Sequence, residues 1–262
     1  MRPLPIEQKR QLYPGITYFR SVRSDPRRII IHAVQVDLTS SQISFLVTPG
    51  DPKADQPLEA QTTSKFLQKF DLQIAVNGDG FTPWRSNSIL DFYPHTGDGV
   101  TPMGLAASQG KKYASGVKDE VTLYISEDNK ASFNASAGNV YNAISGDRIL
   151  LSRGGIERNL PEDDQPNPRS AVALDREAKT LWIVVVDGRQ PGYSEGVTLR
   201  EFAQILADYG LDSALNLDGG GSSTLVIQGW LGMPQVLNSP VDRGIPGLER
   251  PVANHLGIWV GR

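Results

Sequence analysis

The segment with the clearest capacity for chemistry lies at 214–227, where two apolar runs flank Asn216-Leu217-Asp218-Gly219-Gly220-Gly221-Ser222-Ser223. Three adjacent glycines are costly, because glycine loses more backbone entropy on folding than any other residue, and a plain hairpin turn needs only Asn-Gly or Asp-Gly. Either another group must approach this backbone closely, or several amides must point into one space. The pattern therefore has two interpretations: a glycine-rich bulged hairpin, or the floor of an active site whose charged group is Asp218.

A second acidic residue, Asp187, also follows a buried strand. Residues 181–186 are apolar without alternation, which is typical of a strand covered on both faces. A helix is predicted after it over 198–209, because a capping-box pattern opens this segment and an apolar face continues through it. The strand–helix–strand unit has the length of a parallel crossover. Such a unit would bring Asp187 and Asp218 to the carboxyl ends of neighbouring strands, where α/β sheets commonly bind ligands.

Other strand ends carry polar or cationic residues. One buried strand runs into Asn77-Gly78, followed by Asp79, which the sequence alone leaves as either a site carboxylate or a turn former. Arg169 opens a later strand, and Arg250 lies in a proline-rich segment. Guanidinium groups suit phosphate oxygens. A salt bridge to a surface acid is an equally good interpretation of each arginine.

Composition excludes several classes of function. The chain has 262 residues, a net charge of −3 and no basic cluster, which argues against nucleic acid as the main partner. It has no cysteine for disulfide or thiol chemistry, and no apolar run approaches the roughly 20 residues that span a bilayer. The polar N-terminus shows no signal peptide.

Short strand-like runs separated by turns dominate the chain, and few segments have helical periodicity. We therefore expect a single α+β domain, built on a mixed, largely antiparallel β-sheet with a few packing helices. Residues 1–25 are expected to form an N-terminal arm, and residues 26–262 the domain itself.

The order of these motifs resembles that of the phosphodiester glycosidase family. The matching segments are Asn77-Gly78 before Phe81, Arg169-Ser170-Ala171-Val172, Asp187-Gly188, Ser194-Glu195-Gly196-Val197-Thr198-Leu199, Asn216 to Ser223, and Arg250-Pro251. The Asp-Gly-Gly-Gly-Ser block within this order is specific, whereas Gly-Gly-Gly alone would be weak. The family usually has glycine at the position of Asp79, so this residue is assigned only to the rim of the site. The first 60 residues match loosely and look most like a cyanobacterial or other bacterial branch.

The resemblance implies a hydrolase that cleaves the bond between a sugar's anomeric carbon and a phosphodiester oxygen, with an N-acetylglucosamine-like sugar. A carboxylate can stabilise or trap the oxocarbenium-like transition state of such a reaction. Asp218 and its partner Asp187 are the expected catalytic residues. The expected substrate-binding residues are Asn77, Gly78, Arg169, Asn216, Gly219, Gly220, Gly221, Ser222 and Arg250. The resemblance also implies a periplasmic or extracellular location and a role in exopolysaccharide or other carbohydrate metabolism.

Two other classes of function stay open. One is a saccharide- or cell-wall-binding protein without turnover. The other is a metal-dependent phosphodiesterase that cuts the P–O bond, with Asp187 and Asp218 as ligands of calcium or magnesium. The histidines have no paired spacing, which argues against zinc: they are His32, His95 and His255. For the hydrolase no cofactor is expected, and the expected partner is a sugar-1-phosphodiester or a related glycan.

Overall fold

The fold is organised around one large sheet. In a computed structural model the chain is described over residues 5–116, 121–133, 140–161 and 165–261. The large sheet has eight strands, in the spatial order Gln8–Tyr13, Ile16–Arg23, Ile29–Asp37, Thr180–Val186, Arg169–Leu174, Ser213–Asn216, Arg148–Ser152 and Gly155–Ile156. Its Thr180–Val186 strand packs Ile183 and Val185 into one apolar cluster, and Val184 and Val186 into another. The strand predicted to be covered on both faces is therefore confirmed.

Two five-stranded sheets and three smaller sheets complete the described β-structure. One five-stranded sheet contains Pro234–Val236, Leu225–Gln228, Ile74–Asn77, His255–Val260 and Ile43–Val47, and the other Lys111–Ser115, Leu105–Ser108, Asn142–Gly146, Val121–Ile125 and Ala131–Phe133. In the first of the smaller sheets, Gly99–Pro102 lies between Leu58–Glu59 and Phe81–Thr82. The other two sheets are pairs of strands: Arg85–Ser86 with Phe92–Tyr93, and Val241–Asp242 with Ile245–Pro246.

All pairings between these strands are antiparallel. The expectation of a largely antiparallel structure is confirmed. The expected mixed character is not found between the described strands. The parallel bridge between Val241 and Leu248 joins a strand to a residue outside the strands. With two α-helices among so many strands, the α+β class holds only coarsely, and the protein is predominantly β.

The two helices in the described part of the chain are α1, Thr63–Lys69, and α2, Leu199–Asp208. Helix α2 was predicted from its capping box, and that box is formed. The Thr198 hydroxyl accepts a hydrogen bond from the Glu201 amide at 3.2 Å, and the Glu201 carboxylate accepts one from the Thr198 amide at 2.8 Å. Two 3₁₀ turns, Gly220–Ser222 and Trp230–Gly232, lie in the C-terminal part.

The main core lies between the large sheet and the two five-stranded sheets. Val172 and Leu215 of the large sheet belong to the same buried cluster as Val76 and Leu256 of the first five-stranded sheet. Helix α2 packs Phe202 and other apolar residues on the opposite face of the large sheet. Helix α1 covers the outer face of the first five-stranded sheet, the one that contains Ile74–Asn77, in the same way. The layers therefore follow the order helix, sheet, sheet, helix, and the candidate site lies where strands of both sheets end.

One expectation about connections was wrong, and one of the two interpretations of the glycine-rich segment is excluded. The strands on either side of α2, Thr180–Val186 and Ser213–Asn216, run in the same direction, but Arg169–Leu174 lies between them and is antiparallel to both. Arg169–Leu174 forms an antiparallel pair with the strand that follows it in the chain, and it therefore occupies the position next to Thr180–Val186. The glycine-rich segment is not a hairpin either, because the strand after it, Leu225–Gln228, belongs to a different sheet.

The described part of the segment assigned to an N-terminal arm, 1–25, contributes two strands to the large sheet. Ile16 and Tyr18 are buried in the main core. Across the described residues, no helix combines the length and the apolar character that a membrane crossing requires.

Candidate active site

A cleft of about 430 Å³ opens beside the loop that carries Asp218. Its lining includes three aspartates, three arginines and three glycines, namely Asp79, Asp147, Asp218, Arg169, Arg189, Arg250, Gly219, Gly220 and Gly221. Trp84 and Met103 also line it, and they are 53% and 54% exposed, so their apolar surfaces remain open to a ligand. Charged groups of both signs beside an aromatic surface are suited to a polar, anionic molecule with a sugar-like face.

Each glycine of the loop lies against one arginine. A Cβ atom at position 219 would lie 3.7 Å from Cδ of Arg169, and one at position 220 would lie 3.0 Å from a terminal nitrogen of Arg189. At position 221 a Cβ atom would overlap the guanidinium of Arg250. The sequence indicated that some group approaches this backbone closely. The groups that do so are the carbonyl of Pro168 at position 219 and the side chains of Arg189 and Arg250 at positions 220 and 221.

The loop amides have a different role from the one the sequence suggested. The Gly220 amide donates to the carbonyl of Pro168 at 2.8 Å, and the Ser222 amide donates to the carbonyl of Gly219 at 3.2 Å. These two donors are therefore engaged within the protein. The arginines, rather than these amides, supply the anion-binding capacity of the cleft.

Asp218 is the ionisable group at the base of the cleft. Burial raises the pKa of its carboxyl from 3.8 to about 6, and the neighbouring Asp147 acts in the same direction. Hydrogen bonds from Ser222 and Gly219 and the charge of Arg250 oppose that rise. A carboxyl with a pKa near 6 changes its charge within the range where many hydrolases work, which is typical of a functional group.

The backbone of Asp218 is held by a buried brace between the two sheets. Its amide donates to the carbonyl of Gly78 at 2.9 Å, and its carbonyl accepts from Nδ2 of Asn77 at 2.7 Å. Oδ1 of Asn77 in turn accepts from the Ser170 hydroxyl at 2.8 Å. Asn77 and Gly78 were predicted to bind substrate, but they do not line the cleft, and Asn77 is fully buried. Their position behind Asp218 makes them supports of the loop.

Arg250 is fixed on the opposite side of the loop. Its Nε donates to Asp242 at 2.8 Å, and a terminal nitrogen donates to the Ser222 hydroxyl at 3.4 Å. The guanidinium also lies 5.2 Å from the ring centre of Trp84. Ser222 is buried behind the loop and connects Arg250 with Asp218, so this predicted substrate-binding residue contacts the catalytic candidate rather than the open cleft.

Asp187 is not where the sequence placed it. It is fully buried, it does not line the cleft, and its strand does not neighbour that of Asp218. Its carboxylate accepts hydrogen bonds from the amide of Ser239 at 2.7 Å and from Nδ2 of Asn238 at 3.2 Å, and it contacts Nε2 of His32 at 3.2 Å. The expected convergence with Asp218 was wrong. The catalytic role of Asp187 stays a prediction of the sequence.

The remaining predicted residues do line the cleft: Arg169, Asn216 and the three glycines. Sequence reasoning missed two residues of the cleft, Asp147 and Arg189. Asn216 donates to Asp147 at 2.7 Å, so these two cleft residues are linked directly. Arg189 follows Asp187-Gly188 in the sequence, and this position after a buried strand was the available signal. Within the described ranges, no group of three or more histidine, aspartate and glutamate side chains is arranged to hold a metal ion.

Solved structures of other proteins share this fold. The catalytic domain of zebrafish N-acetylglucosamine-1-phosphodiester alpha-N-acetylglucosaminidase, auto-inhibited by its pro-peptide, is 23% identical, with a TM-score of 0.68 over 97% of this chain and 87% of that one. A hypothetical protein from Synechocystis is 16% identical, with a TM-score of 0.69 over 98% of this chain and 64% of that one. At these identities the likeness shows the fold.

Sequence comparison extends the result. The SPbeta prophage-derived uncharacterized protein YomE of Bacillus subtilis (strain 168) is 29% identical over 208 residues, which are 71% of this chain and 27% of that protein. This chain thus spans about a quarter of the length of that relative. The family model described as phosphodiester glycosidase matches residues 70–259, which is most of the chain and includes all the cleft residues named above. The chain belongs to the phosphodiester glycosidase family.

Proposed function

We propose that this protein is a hydrolase that cleaves the glycosidic bond between a sugar and a phosphodiester. The observation that carries the proposal is the Asp218 carboxyl, which lies at a cleft lined by Arg169, Arg189 and Arg250. A carboxylate next to several guanidinium groups is suited to a substrate whose reacting carbon is bonded to a phosphate oxygen. Membership of the family supports the same class of reaction.

In the proposed reaction, water adds to the anomeric carbon while the bond from this carbon to the phosphate oxygen breaks. The electron pair of that bond leaves with the phosphomonoester, and the proton of the attacking water goes to a carboxylate or to solvent. A phosphate leaving group is already stable as an anion, so it needs little help from a general acid. The positive charge that develops on the sugar requires a carboxylate instead. Asp218 supplies it in the ionised form, which prevails above a pH of about 6.

Asp147 is the carboxylate that accompanies Asp218 at the cleft. It accepts from Nδ2 of Asn216 at 2.7 Å, and it lines the same cleft as Asp218. Glycosidases commonly use two carboxylates, one of which activates or orients water. In this proposal Asp147 has that second role, which the sequence analysis gave to Asp187.

The proposed substrate carries an N-acetylglucosamine-like sugar, in line with the substrate in the name of the zebrafish protein. The exposed ring of Trp84 supports a sugar at this site, because sugars present apolar faces that pack on aromatic rings. The alcohol on the other side of the phosphate is left unassigned in the proposal.

Product analysis in water labelled with oxygen-18 tests the proposal. A panel of sugar-1-phosphodiesters is incubated with the protein, with and without a chelator, and the products are separated and weighed by mass spectrometry. The hydrolase predicts a free sugar that carries the label, together with an unlabelled phosphomonoester. Label in the phosphate with release of sugar 1-phosphate would show P–O cleavage, as a phosphodiesterase performs it. Substrate binding without any product would show a saccharide-binding protein.

A further inference from the structure

We infer that Arg189 is a dedicated phosphate-binding residue of the cleft and determines its selectivity for anionic substrates. The inference deepens the proposed function and rests on it, because the anion concerned is the phosphate of the sugar phosphodiester. Three independent features of Arg189 support it: its backbone conformation, its charge environment and its packing on the glycine loop.

The backbone of Arg189 is held in an unfavourable conformation. Its φ is +57°, which lies in the left-handed region that glycine adopts readily and that a side chain with a Cβ atom makes unfavourable. Glycine would fit this backbone better than arginine. Residues kept in such conformations cluster at functional sites, where the side chain is needed for what it does rather than for the fold.

The charge of Arg189 lacks a close opposite charge. Within the described residues no carboxylate lies at ion-pair distance from it, whereas Arg250 is paired with Asp242 at 2.8 Å. Its Nε donates to the neutral Oδ1 of Asn167 at 2.9 Å. The pKa of Arg189 is lowered by burial of the guanidinium and then by the charges of Arg250 and Arg169. The more distant carboxylates of Asp242 and Asp218 oppose this shift only in part, and arginine stays protonated. A bound phosphate would offset this repulsion.

The guanidinium of Arg189 is placed where such an anion would lie. It packs on Gly220, between the positions at which Arg169 and Arg250 pack on Gly219 and Gly221. Its hydrogen bond to Asn167 fixes Nε, and both terminal nitrogens lie against Gly220. Three guanidinium groups in series present donors that can hold several oxygens of one phosphate group.

Two variants and a matched control separate this role from a structural one. Arg189→Gly removes the side chain and relieves the backbone, so we expect an unchanged or higher melting temperature. Arg189→Lys keeps the charge and loses the planar geometry. The control is Arg153→Gly, since Arg153 has φ +51° in an exposed turn outside the cleft. Both glycine variants gain the same backbone relief, but only Arg189→Gly removes a cleft cation.

The first measurement is binding of inorganic phosphate by calorimetry, which requires no turnover. We expect the dissociation constant to rise about 10- to 150-fold in Arg189→Gly, less in Arg189→Lys, and not at all in Arg153→Gly, since a charge-assisted hydrogen bond is lost only at position 189. Phosphate affinity in Arg189→Gly within about twofold of wild type would overturn the inference. A melting temperature that falls in Arg189→Gly and rises in Arg153→Gly would also overturn it, because the side chain would then be part of the scaffold.

The second measurement is kcat/KM on a sugar phosphodiester and on a neutral aryl glycoside of the same sugar. We expect Arg189→Gly to lower the first value much more than the second. Equal losses on both substrates would overturn the inference and leave the hydrolase proposal standing. Phosphate binding that depends on Arg189, in a protein that hydrolyses no phosphodiester, would instead refute the hydrolase and support the anion site.

Discussion

Two Asp-Gly turns in this protein look alike in the sequence and differ completely in their surroundings. Asp187 and Asp218 each follow a buried strand of the large sheet, and the two strands run in the same direction. Asp187 is sealed inside the protein among fixed donors, whereas Asp218 reaches the cleft beside arginines. A carboxylate at the end of a strand is therefore not a catalytic group by position alone. What distinguishes the two is whether the carboxylate is enclosed within the protein or lines a cleft.

Asp187 belongs to a buried chain of hydrogen bonds. Its contact with Nε2 of His32 continues through Nδ1 of His32 to the Tyr18 hydroxyl at 2.8 Å. Burial raises the pKa of Tyr18 to about 12, so the phenol stays neutral and keeps its proton. On its other side Asp187 binds Asn238, which donates to the carbonyl of Ser223 at 3.0 Å. These hydrogen bonds link the strands Ile16–Arg23, Ile29–Asp37 and Thr180–Val186 to the segment that follows the glycine loop.

The largest expected effect is that of Asp218→Asn. The change keeps the volume of the side chain and removes its charge, so kcat/KM on a sugar phosphodiester should fall by about 10² or more. The melting temperature should not fall, because the wild-type carboxyl is held in an environment that disfavours its charged form. The measurements are kcat/KM from steady-state kinetics and the melting temperature of the same protein. Turnover at the wild-type rate would place Asp218 with Asp187 among the structural carboxylates.

The arginines sharpen the contrast, because Asp218 has cationic neighbours and Asp187 has none in direct contact. Arg250→Lys and Arg169→Lys should each lower kcat/KM on the phosphodiester by about 10- to 150-fold, since lysine keeps the charge but loses the two-pronged geometry. A neutral aryl glycoside should be affected much less. Arg23→Lys is a suitable control, since Arg23 pairs with Asp208 at 3.1 Å and neither residue lines the cleft. Equal losses on charged and neutral substrates would assign these arginines to the scaffold.

The pH profile of the wild type should follow Asp218. If the ionised carboxylate acts, log kcat/KM rises with pH by about one for each unit below pH 6 and levels off above it, since the pKa of this carboxyl is about 6. The opposite slope, with activity falling above pH 6, would show that the protonated form is needed as a general acid. In either case, Asp218→Asn should abolish the change of kcat/KM with pH around pH 6.

Asp187→Ala should lower stability strongly and activity little, whereas Asp218→Asn should lower activity strongly without lowering stability. Removal of the carboxylate leaves the buried donors of Ser239 and Asn238 without a partner, so the free energy of unfolding should fall by about 3 kcal/mol. For the protein that remains folded, kcat/KM should fall by less than about tenfold. Urea unfolding and kinetics at low temperature separate the two quantities. A stable Asp187→Ala protein with a hundredfold loss of activity would restore Asp187 as a catalytic residue.

The sequence predicted those features that depend on local signals. The capping box at Thr198 specified α2, and the glycine run at 219–221 correctly indicated a close approach to the backbone. The sequence did not predict that Arg169–Leu174 would lie between the strands that precede Asp187 and Asp218, because strand order depends on pairing between distant segments. The cleft residues Asp147 and Arg189 were missed for the same reason, since each comes from a turn whose position only the assembled sheets define.

The smallest expected effect concerns stability, and it tests the environment of Asp218 without any substrate. The folded-state pKa of this carboxyl is raised from 3.8 to about 6, so between these values the folded protein binds more protons than the unfolded chain. The contribution of Asp218 to stability is therefore present in full below pH 3.8 and is lost as the pH rises through 6. An asparagine does not titrate, so the melting temperature of Asp218→Asn minus that of wild type should grow between pH 4 and 6 and stay constant above. Other titrating groups cancel in this difference, apart from the nearby Asp147 and Arg250, whose effects on Asp218 are already part of its pKa. Asp187→Asn measured in parallel is the reference for a carboxylate among fixed donors. A difference for Asp218→Asn that shrinks as the pH rises would mean that the ionised carboxylate stabilises the fold, and the contrast between the two aspartates would then disappear.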